Sequence, residues 1–149
     1  MIVNRQRAAR LAQPPLEAFL RRVRNELGLE EESLTVCLVS DAEIARMNET
    51  FRRMKGPTDV LSFPAVVQRR PARLPRGSGR VQAGQYLGDI AISPATARRY
   101  AKKNGRKLSS ELRVLILHGV LHLLGYDHET DRGEMDRVER KLRKRLGLA

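Results

Sequence analysis

The stretch "LRVLILHGVLHLLGYDH", residues 112–128, carries the strongest structural signal in this 149-residue chain. Its apolar residues predict a helix over 109–124, and Gly125 is placed to end that helix. The same stretch contains all three histidines of the chain, which are His118, His122 and His128. We therefore expect a helix whose apolar residues belong to the core and whose histidines carry chemistry.

The segments on either side predict a single domain over residues 1–149, of the α+β class. The expected elements are a strand at 2–3, a helix at 15–27, a strand at 33–40, a helix at 41–52, strands at 60–63 and 86–93, and helices at 94–105, 109–124 and 131–146. The predicted helix caps are Ser40 with Glu43, Ser93 with Pro94, and Asp131 with Glu134. Such an order predicts a small mixed sheet packed with about five helices.

A long basic segment separates the two middle strands. Residues 68–84, "QRRPARLPRGSGRVQAG", contain five arginines and no acid, and are expected to form a functional or disordered loop. The whole chain has 29 Lys and Arg against 17 Asp and Glu, a formal charge of +12. That surplus favours a polyanionic partner, nucleic acid or an acidic membrane surface. With no Trp and only 4% aromatic residues, phosphate contacts are expected to outweigh base stacking.

The cysteine content and the longest apolar run bear on where the protein works. Cys37 is the single cysteine, and its apolar context "LTVCLV" predicts a buried thiol in a reducing compartment. The longest uncharged apolar run, residues 114–126, is shorter than the about 20 residues that span a bilayer. No secretory signal is visible at the start of the sequence. We expect a cytoplasmic protein with no membrane partner.

The spacing of the histidines predicts a metal site. His118 and His122 are four residues apart on the expected helix, so both imidazoles project from one face. The turn after Gly125 brings His128 back toward the same point. Three neutral imidazoles leave a tetrahedral Zn²⁺ one open position for water, which is typical of catalytic sites. We predict one Zn²⁺ per chain, and a structural site with Cys37 or an aspartate as fourth ligand is the alternative.

The histidine spacing also fits HExxHxxGxxH, the pattern of zinc proteases, except at one position. In those enzymes a glutamate after the first histidine activates the water on the metal. Here that position is Gly119, which cannot accept a proton. Proteolysis is therefore the runner-up hypothesis.

Three motifs together resemble the YbeY family, the zinc-dependent endoribonucleases of ribosomal RNA maturation. They are "HGVLHLLGYDH" at 118–128, "MNETFRRMKGPTDVLSFP" at 47–64 and "LGDIAIS" at 87–93, and they stand in the order of that family. The resemblance covers essentially the whole chain. The loop 68–84 is the part in which the family varies.

The resemblance implies a function, a set of site residues and a set of partners. It implies that His118, His122 and His128 bind the metal and that Arg52 is the functionally important arginine. The implied activity is endonucleolytic cleavage of single-stranded RNA in 16S rRNA 3′-end maturation and ribosome quality control. The implied partners are small-subunit rRNA and the ribosome or small ribosomal subunit with its associated proteins.

Hydrolysis of a phosphodiester needs a nucleophile and neutralisation of the charge on the phosphoryl oxygens. Zn²⁺ held by His118 and its neighbours would lower the pKa of a bound water, the expected nucleophile, toward about 7. Arg52 suits a bidentate contact to phosphate oxygens. The general base stays open between Asp127, Asp89, Asp59 and none, and a 2′-hydroxyl nucleophile would leave a cyclic phosphate instead. A metal-stabilised ribosome-assembly module without catalysis is the alternative from a different class.

Overall fold

A computed structural model of the chain describes residues 1–65, 84–127, 129 and 131–148. The elements are β1 (Ile2–Asn4), α1 (Gln13–Leu27), β2 (Leu34–Leu38), α2 (Asp41–Arg52), β3 (Val60–Pro64), β4 (Gly88–Ile92), α3 (Pro94–Lys103), α4 (Leu108–Leu123) and α5 (Glu134–Arg145). A short 3-10 turn, Glu31–Ser33, precedes β2. The predicted α+β class and the predicted order of elements are confirmed.

The four strands form one mixed sheet in the order β1-β2-β4-β3. β1, β2 and β4 run parallel, and β3 runs antiparallel to β4. Among the described residues β3 is therefore an edge strand, which is where a strand tolerates the proline at its end, Pro64. This arrangement brings the residues that follow α2 to one edge of the sheet.

The helix predicted from the opening stretch, α4, lies at the centre of the main core. It packs against α1, α3 and α5 and against strands β3 and β4. Ile116, Leu117, Val120 and Leu121 are completely buried. A helix enclosed on most sides has apolar residues around most of its circumference, so the continuous apolar sequence of α4 follows from its position.

The caps predicted at Ser40 and Ser93 form as local hydrogen bonds, whereas the one predicted at Asp131 is displaced. The Ser40 hydroxyl accepts from the Glu43 N–H at 3.1 Å, and the Ser93 hydroxyl accepts from the Thr96 N–H at 3.3 Å. The Asp131 carboxylate accepts from two N–H groups at 2.8 Å each, those of residues 133 and 135. The last helix begins at residue 134 with Gly133 as its N-cap, so the prediction of Asp131 as the N-cap is wrong, and Asp131 accepts from the first turn from outside the helix.

Cys37 is less enclosed than its apolar sequence context predicts. Its thiol is only half-buried, so the prediction of a buried thiol is wrong. The side chains of β2 alternate between the main core and the second face of the sheet, where a smaller cluster around Val39 and Ile44 covers them thinly.

The basic loop lies outside the described residues except for Gly84, whose N–H donates to the carboxylate of Glu30 at 3.0 Å. No helix within the described ranges is long and apolar enough to cross a membrane.

Candidate functional site

Near its end, α4 presents His118 and His122 side by side, as their spacing predicts. Their Nε2 atoms lie 3.0 Å apart, and the two ring planes meet at 74°. The contact is a hydrogen bond when one nitrogen is protonated and a two-nitrogen chelate when neither is. Two nitrogens that share one tetrahedral Zn²⁺ at about 2.05 Å are about 3.3 Å apart. The pair is therefore suited to hold a single ion.

Glu139 of α5 orients the first of these rings. Its Oε1 lies 2.9 Å from Nδ1 of His118, and its Oε2 lies 3.5 Å from Nη2 of Arg143. When Nδ1–H donates to this carboxylate, the lone pair of the ring stays on Nε2, the nitrogen that faces His122. The sequence reasoning missed Glu139. The signal was an acid beside Val138, at the border of the apolar stripe of a predominantly basic helix.

The histidine pair lines an open cleft of about 570 Å³. Its walls come from the end of α2 and the turn after it, from edge strand β3, and from the end of α4 with the turn that follows. The polar groups in these walls include Arg52, Asp59, Ser62, Tyr126, Asp127 and Glu129. The tertiary structure thus joins the histidine motif to the segment that contains Arg52.

The aspartates considered as general bases do not all reach this cleft. Asp59 and Asp127 line it, whereas Asp89 does not. Neighbouring residues of a strand face opposite sides of the sheet. Ile90 faces α4, so Asp89 lies on the other face, where the Tyr86 hydroxyl donates to it. Asp89 is thereby removed from the set of general-base candidates.

The proposed third ligand, His128, lies outside the described residues. Within the part of the chain that the structure does describe, no third His, Cys, Asp or Glu joins the histidine pair as a metal-binding group. Cys37 does not line the cleft, so the alternative in which it completes a structural zinc site at this place is wrong. The role of His128 stays a prediction of the sequence.

Gly119, at the protease glutamate position, is a point of close contact between α4 and the sheet. A Cβ there would lie 2.8 Å from Cγ2 of Ile90, which is completely buried. The carbonyl oxygen of Gly119 also accepts a hydrogen bond from the Ser62 hydroxyl at 3.2 Å. No side chain fits at this position without displacing the core. The glutamate of a zinc protease is therefore excluded by packing as well as absent from the sequence.

Tyr126 contributes a polar group of a different kind to the cleft. The residue is only 6% exposed, and burial raises the pKa of its phenol above the usual 10.0. At neutral pH the phenol therefore keeps its proton. The cleft thus contains a neutral hydroxyl beside the carboxylates of Asp59 and Asp127 and the guanidinium of Arg52.

Comparison with known proteins agrees with the motifs. A family model described as Endoribonuclease YbeY matches residues 1–147. A protein of Koribacter versatilis named Endoribonuclease YbeY is 42% identical, over 99% of this chain and 86% of its own length. Proteins of the same name from Solibacter usitatus and Aquifex aeolicus are 40% and 39% identical, and the matches cover 88% and 76% of their lengths.

A solved structure is similar to the fold as well. The solution structure of a Thermotoga maritima protein superposes with a TM-score of 0.59 at 28% identity, covering 98% of this chain and 89% of that one. The family model and the curated relatives span nearly the whole sequence, including both walls of the cleft. The chain belongs to the YbeY family of endoribonucleases.

Proposed function

We propose that this protein is a zinc-dependent endoribonuclease that cuts single-stranded RNA, and that its substrate is the precursor 3′ end of 16S rRNA. The observation that carries the proposal is the pair of facing histidine Nε2 atoms, 3.0 Å apart, in the same cleft as Arg52. The names of the curated relatives support RNA as the substrate. The small ribosomal subunit is the proposed partner, and the cytoplasm the proposed location.

The donor set fits Zn²⁺, and His118, His122 and His128 would hold it. Imidazole nitrogens are ordinary zinc ligands, and the carboxylate behind His118 is the usual partner of a metal-binding imidazole. When bound, the ion supplies Lewis acidity and lowers the pKa of a water toward about 7. Glu139 acts through His118, because its hydrogen bond to Nδ1 selects the tautomer and fixes the ring.

Arg52 binds the phosphodiester in this proposal. The residue is exposed and lines the cleft, so its guanidinium is accessible to a phosphate. Its two parallel N–H groups can donate to both non-bridging oxygens, which holds the phosphate in one orientation and offsets negative charge as the transition state forms. A lysine would supply the charge without the two-pronged geometry.

Two carboxylates and one hydroxyl are placed to handle protons. Asp59 and Asp127 line the cleft and can accept a proton from the attacking group, while the buried phenol of Tyr126 can donate a hydrogen bond. Oδ1 of Asp127 also accepts from the N–H of Glu129 at 3.0 Å, which orders the turn at this end of the cleft. We propose that the general base is one of these two aspartates.

The test compares the wild-type protein with a His122→Ala variant purified in parallel, on a 3′-extended small-subunit rRNA fragment. We expect cleavage by the wild type only, its loss with a chelator and its return on adding Zn²⁺. Circular dichroism and the melting temperature establish that the variant is folded. Equal cleavage by both proteins would identify a contaminating nuclease. A folded wild type that binds Zn²⁺ and RNA but never cuts, alone or with the small subunit, would favour the assembly module.

The ends of the products distinguish the two nucleophiles. Attack by water leaves a phosphate on one product and a hydroxyl on the other, whereas attack by the 2′-hydroxyl leaves a 2′,3′-cyclic phosphate. A substrate with a single 2′-deoxy substitution at the cleaved position is the matched control. We expect it to be cut at the normal rate, and a complete block would identify the 2′-hydroxyl as the nucleophile.

A further inference from the structure

Phe51, at the end of α2, is the most exposed large apolar side chain among the described residues. It is 66% exposed, compared with 45% for Tyr100 and 39% for Tyr86. The chain has only three Phe, three Tyr and no Trp, so exposing one of these rings to this extent needs a reason. Burial of a phenylalanine stabilises a fold, and this protein forgoes most of that gain here.

The ring of Phe51 is held in place by a second aromatic residue. Its centroid lies 5.0 Å from that of Phe63, and the two planes meet at 68°. Phe63 in turn packs against the smaller core cluster that contains Ile44 and Leu61. Because the two rings meet edge to face, they do not cover each other as stacked rings would. We call this pair, Phe51 and Phe63, the aromatic platform.

The aromatic platform lies around edge strand β3 from the candidate cleft. Arg52, the next residue after Phe51, lines the cleft, and so do Ser62 and Pro64, the neighbours of Phe63 on β3. Because successive strand residues face opposite sides of a sheet, Phe63 faces the smaller core cluster, and Arg52 connects that side to the cleft. A single-stranded RNA whose phosphate contacts Arg52 reaches these rings by continuing around the edge strand. Nucleobases of a single strand are unstacked and have open faces, which aromatic side chains bind without regard to base identity.

Arg53 has the unusual backbone conformation of this region. Its φ of 55° makes it the one non-glycine residue with positive φ in the described part of the chain. It ends α2 at the position where glycine is the unstrained choice. The turn is closed by the N–H groups of Arg53 and Met54, which donate to the carbonyls of Glu49 and Asn48. An arginine at this position accepts backbone strain and adds an exposed guanidinium beside the platform.

The charges around the platform match a polyanion. Residues 50–58, "TFRRMKGPT", contain Arg52, Arg53 and Lys55 and no acid, and all three cations are exposed. None of the three cations forms an ion pair with another described residue. Alternating rings and cations are the usual composition of a single-strand binding site.

We infer that Phe51 stacks on a nucleobase next to the phosphodiester held in the cleft, and that Arg53 contacts the backbone phosphate of that nucleotide. This inference rests on the proposed function, since it places single-stranded RNA in the cleft. Phe51 and Arg53 are positioning residues for the substrate. The platform fixes the register of the strand, while the chemistry of cleavage belongs to the histidines and Arg52.

The binding test uses a short fluorescein-labelled single-stranded oligoribonucleotide and measures Kd by anisotropy. Phe51→Leu keeps an apolar side chain but removes the aromatic face, and we expect it to weaken binding by about 5- to 100-fold. Phe51→Tyr keeps the face and should bind within about twofold of the wild type. Tyr100→Leu is the matched control, because Tyr100 is also an exposed aromatic residue near basic ones but lies on α3, which contributes no residue to the cleft. It should leave Kd unchanged.

Two further probes separate stacking from other contacts. An oligoribonucleotide with one abasic position, moved along the strand, should weaken binding to the wild type at one register and have no such effect on Phe51→Leu. A duplex of the same sequence, whose bases are already stacked, should bind both proteins equally. Arg53→Gly should weaken binding while melting at or above the wild-type temperature, because glycine removes the strain at φ 55°.

The binding and cleavage results together distinguish the stacking inference from the proposed nuclease. If the wild type fails to bind single strands, or Phe51→Leu binds them as tightly as the wild type, the stacking inference is wrong. The inference is also wrong if Phe51→Leu weakens binding to a ribosomal protein but leaves Kd for RNA unchanged, since the platform would then be a protein contact. Failure of the wild type to cut RNA, with the Phe51 pattern in Kd intact, would overturn the proposed nuclease and leave the platform standing.

Discussion

Glu139 follows His118 by 21 positions, and the two side chains meet at 2.9 Å because α5 packs against α4. The carboxylate of Glu139 is also near the guanidinium of Arg143, so its charge has a second partner. This acid reaches a histidine of the motif from a different helix. At the scale of single residues, the site depends on a hydrogen bond that no local motif encodes.

Replacing Glu139 tests that dependence. Glu139→Ala should lower Zn²⁺ affinity by about 10- to 100-fold, because His118 loses the partner that holds its ring and tautomer. Glu139→Gln, which keeps an acceptor oxygen, should lower Zn²⁺ affinity less than Glu139→Ala does. Competition with a metallochromic chelator gives the affinity directly. If Glu139→Ala bound Zn²⁺ as tightly as the wild type, Glu139 would have no part in the metal site.

Replacing Arg52 tests phosphate binding in the same cleft. We expect Arg52→Ala to lower kcat/KM for the RNA substrate by about 100-fold, and Arg52→Lys to recover only part of it, because lysine lacks the bidentate geometry. Arg46→Ala is the matched control, since Arg46 is an exposed arginine of the same helix that does not line the cleft. Equal losses for Arg46→Ala and Arg52→Ala would reduce the role of Arg52 to general charge.

At the scale of elements, two glycines allow α4, β4 and β3 to pack closely together next to the cleft. Gly119 lets α4 approach Ile90 of β4, and Gly88 lets the start of β4 approach the end of β3. The φ of Gly88 is +142°, and a Cβ there would lie 2.2 Å from the carbonyl oxygen of Phe63. That oxygen is a backbone atom, so it cannot move aside as a side chain does.

Gly88→Ala should therefore destabilise the protein by about 3 kcal/mol, from backbone strain and a backbone collision together. Gly105→Ala is the control for strain alone, because Gly105 has φ +66° but open space around its Cβ position. It should cost about 1 kcal/mol. Urea denaturation of both variants gives the comparison, and equal losses would mean that the collision contributes nothing.

Asp41 connects the beginnings of two helices. The residue opens α2, and its carboxylate accepts hydrogen bonds from the hydroxyls of Ser93 and Thr96 at 2.6 Å each and from Arg99 at 2.9 Å. Burial alone would raise the pKa of this carboxyl, but the three hydrogen bonds and the charge of Arg99 outweigh it and lower the pKa below the usual 3.8. The folded state therefore binds a proton at Asp41 less readily than the unfolded state.

The contribution of Asp41 to the free energy of unfolding should therefore depend on pH. It is fully present above the unfolded-state pKa and is lost as the pH falls through the lower folded-state pKa. Asp41→Asn should cost about 1 kcal/mol at pH 7, a modest figure because the side chain is 34% exposed. The difference should shrink as the pH falls below about 4. Urea denaturation from pH 7 down to pH 3 measures it, and a constant difference would contradict the assignment.

The whole molecule carries a formal charge of +12, and the candidate cleft lies beside one cluster of that charge at residues 52–55. α5 shows how the rest is distributed. Met135 and Leu142 are buried on one side, and most of its basic residues are exposed on the other. The net field draws a polyanion toward the protein from any direction, whereas Arg52 and its neighbours act at close range.

Binding of single-stranded RNA should accordingly weaken with salt. With three to five phosphate contacts, Kd should rise by about 20- to 100-fold between 50 and 200 mM NaCl. Arg52→Ala should reduce the slope of log Kd against log salt by about 0.7, and Phe51→Leu should leave it unchanged, because stacking releases no counterions. Anisotropy titrations at four salt concentrations give the slopes. A flat dependence in the wild type would rule out phosphate contacts as the basis of binding.

The sequence by itself determined the features that local physics controls. Helical spacing placed His118 and His122 on one face, and the caps at Ser40 and Ser93 set where two helices begin, because such signals act over a few residues. The order of the elements follows from the same signals. The family motifs were also legible, since each is a continuous stretch.

Only the tertiary structure decided what depends on distant contacts. It brought Glu139 to His118, and it turned Asp89 to the opposite face of the sheet from the cleft. Thin packing on that second face left Cys37 half-buried and Phe51 exposed. Each of these outcomes depends on which face of an element meets its neighbour and on how completely that face is covered. That is set by packing energies summed over the whole core, which no local pattern of residues contains.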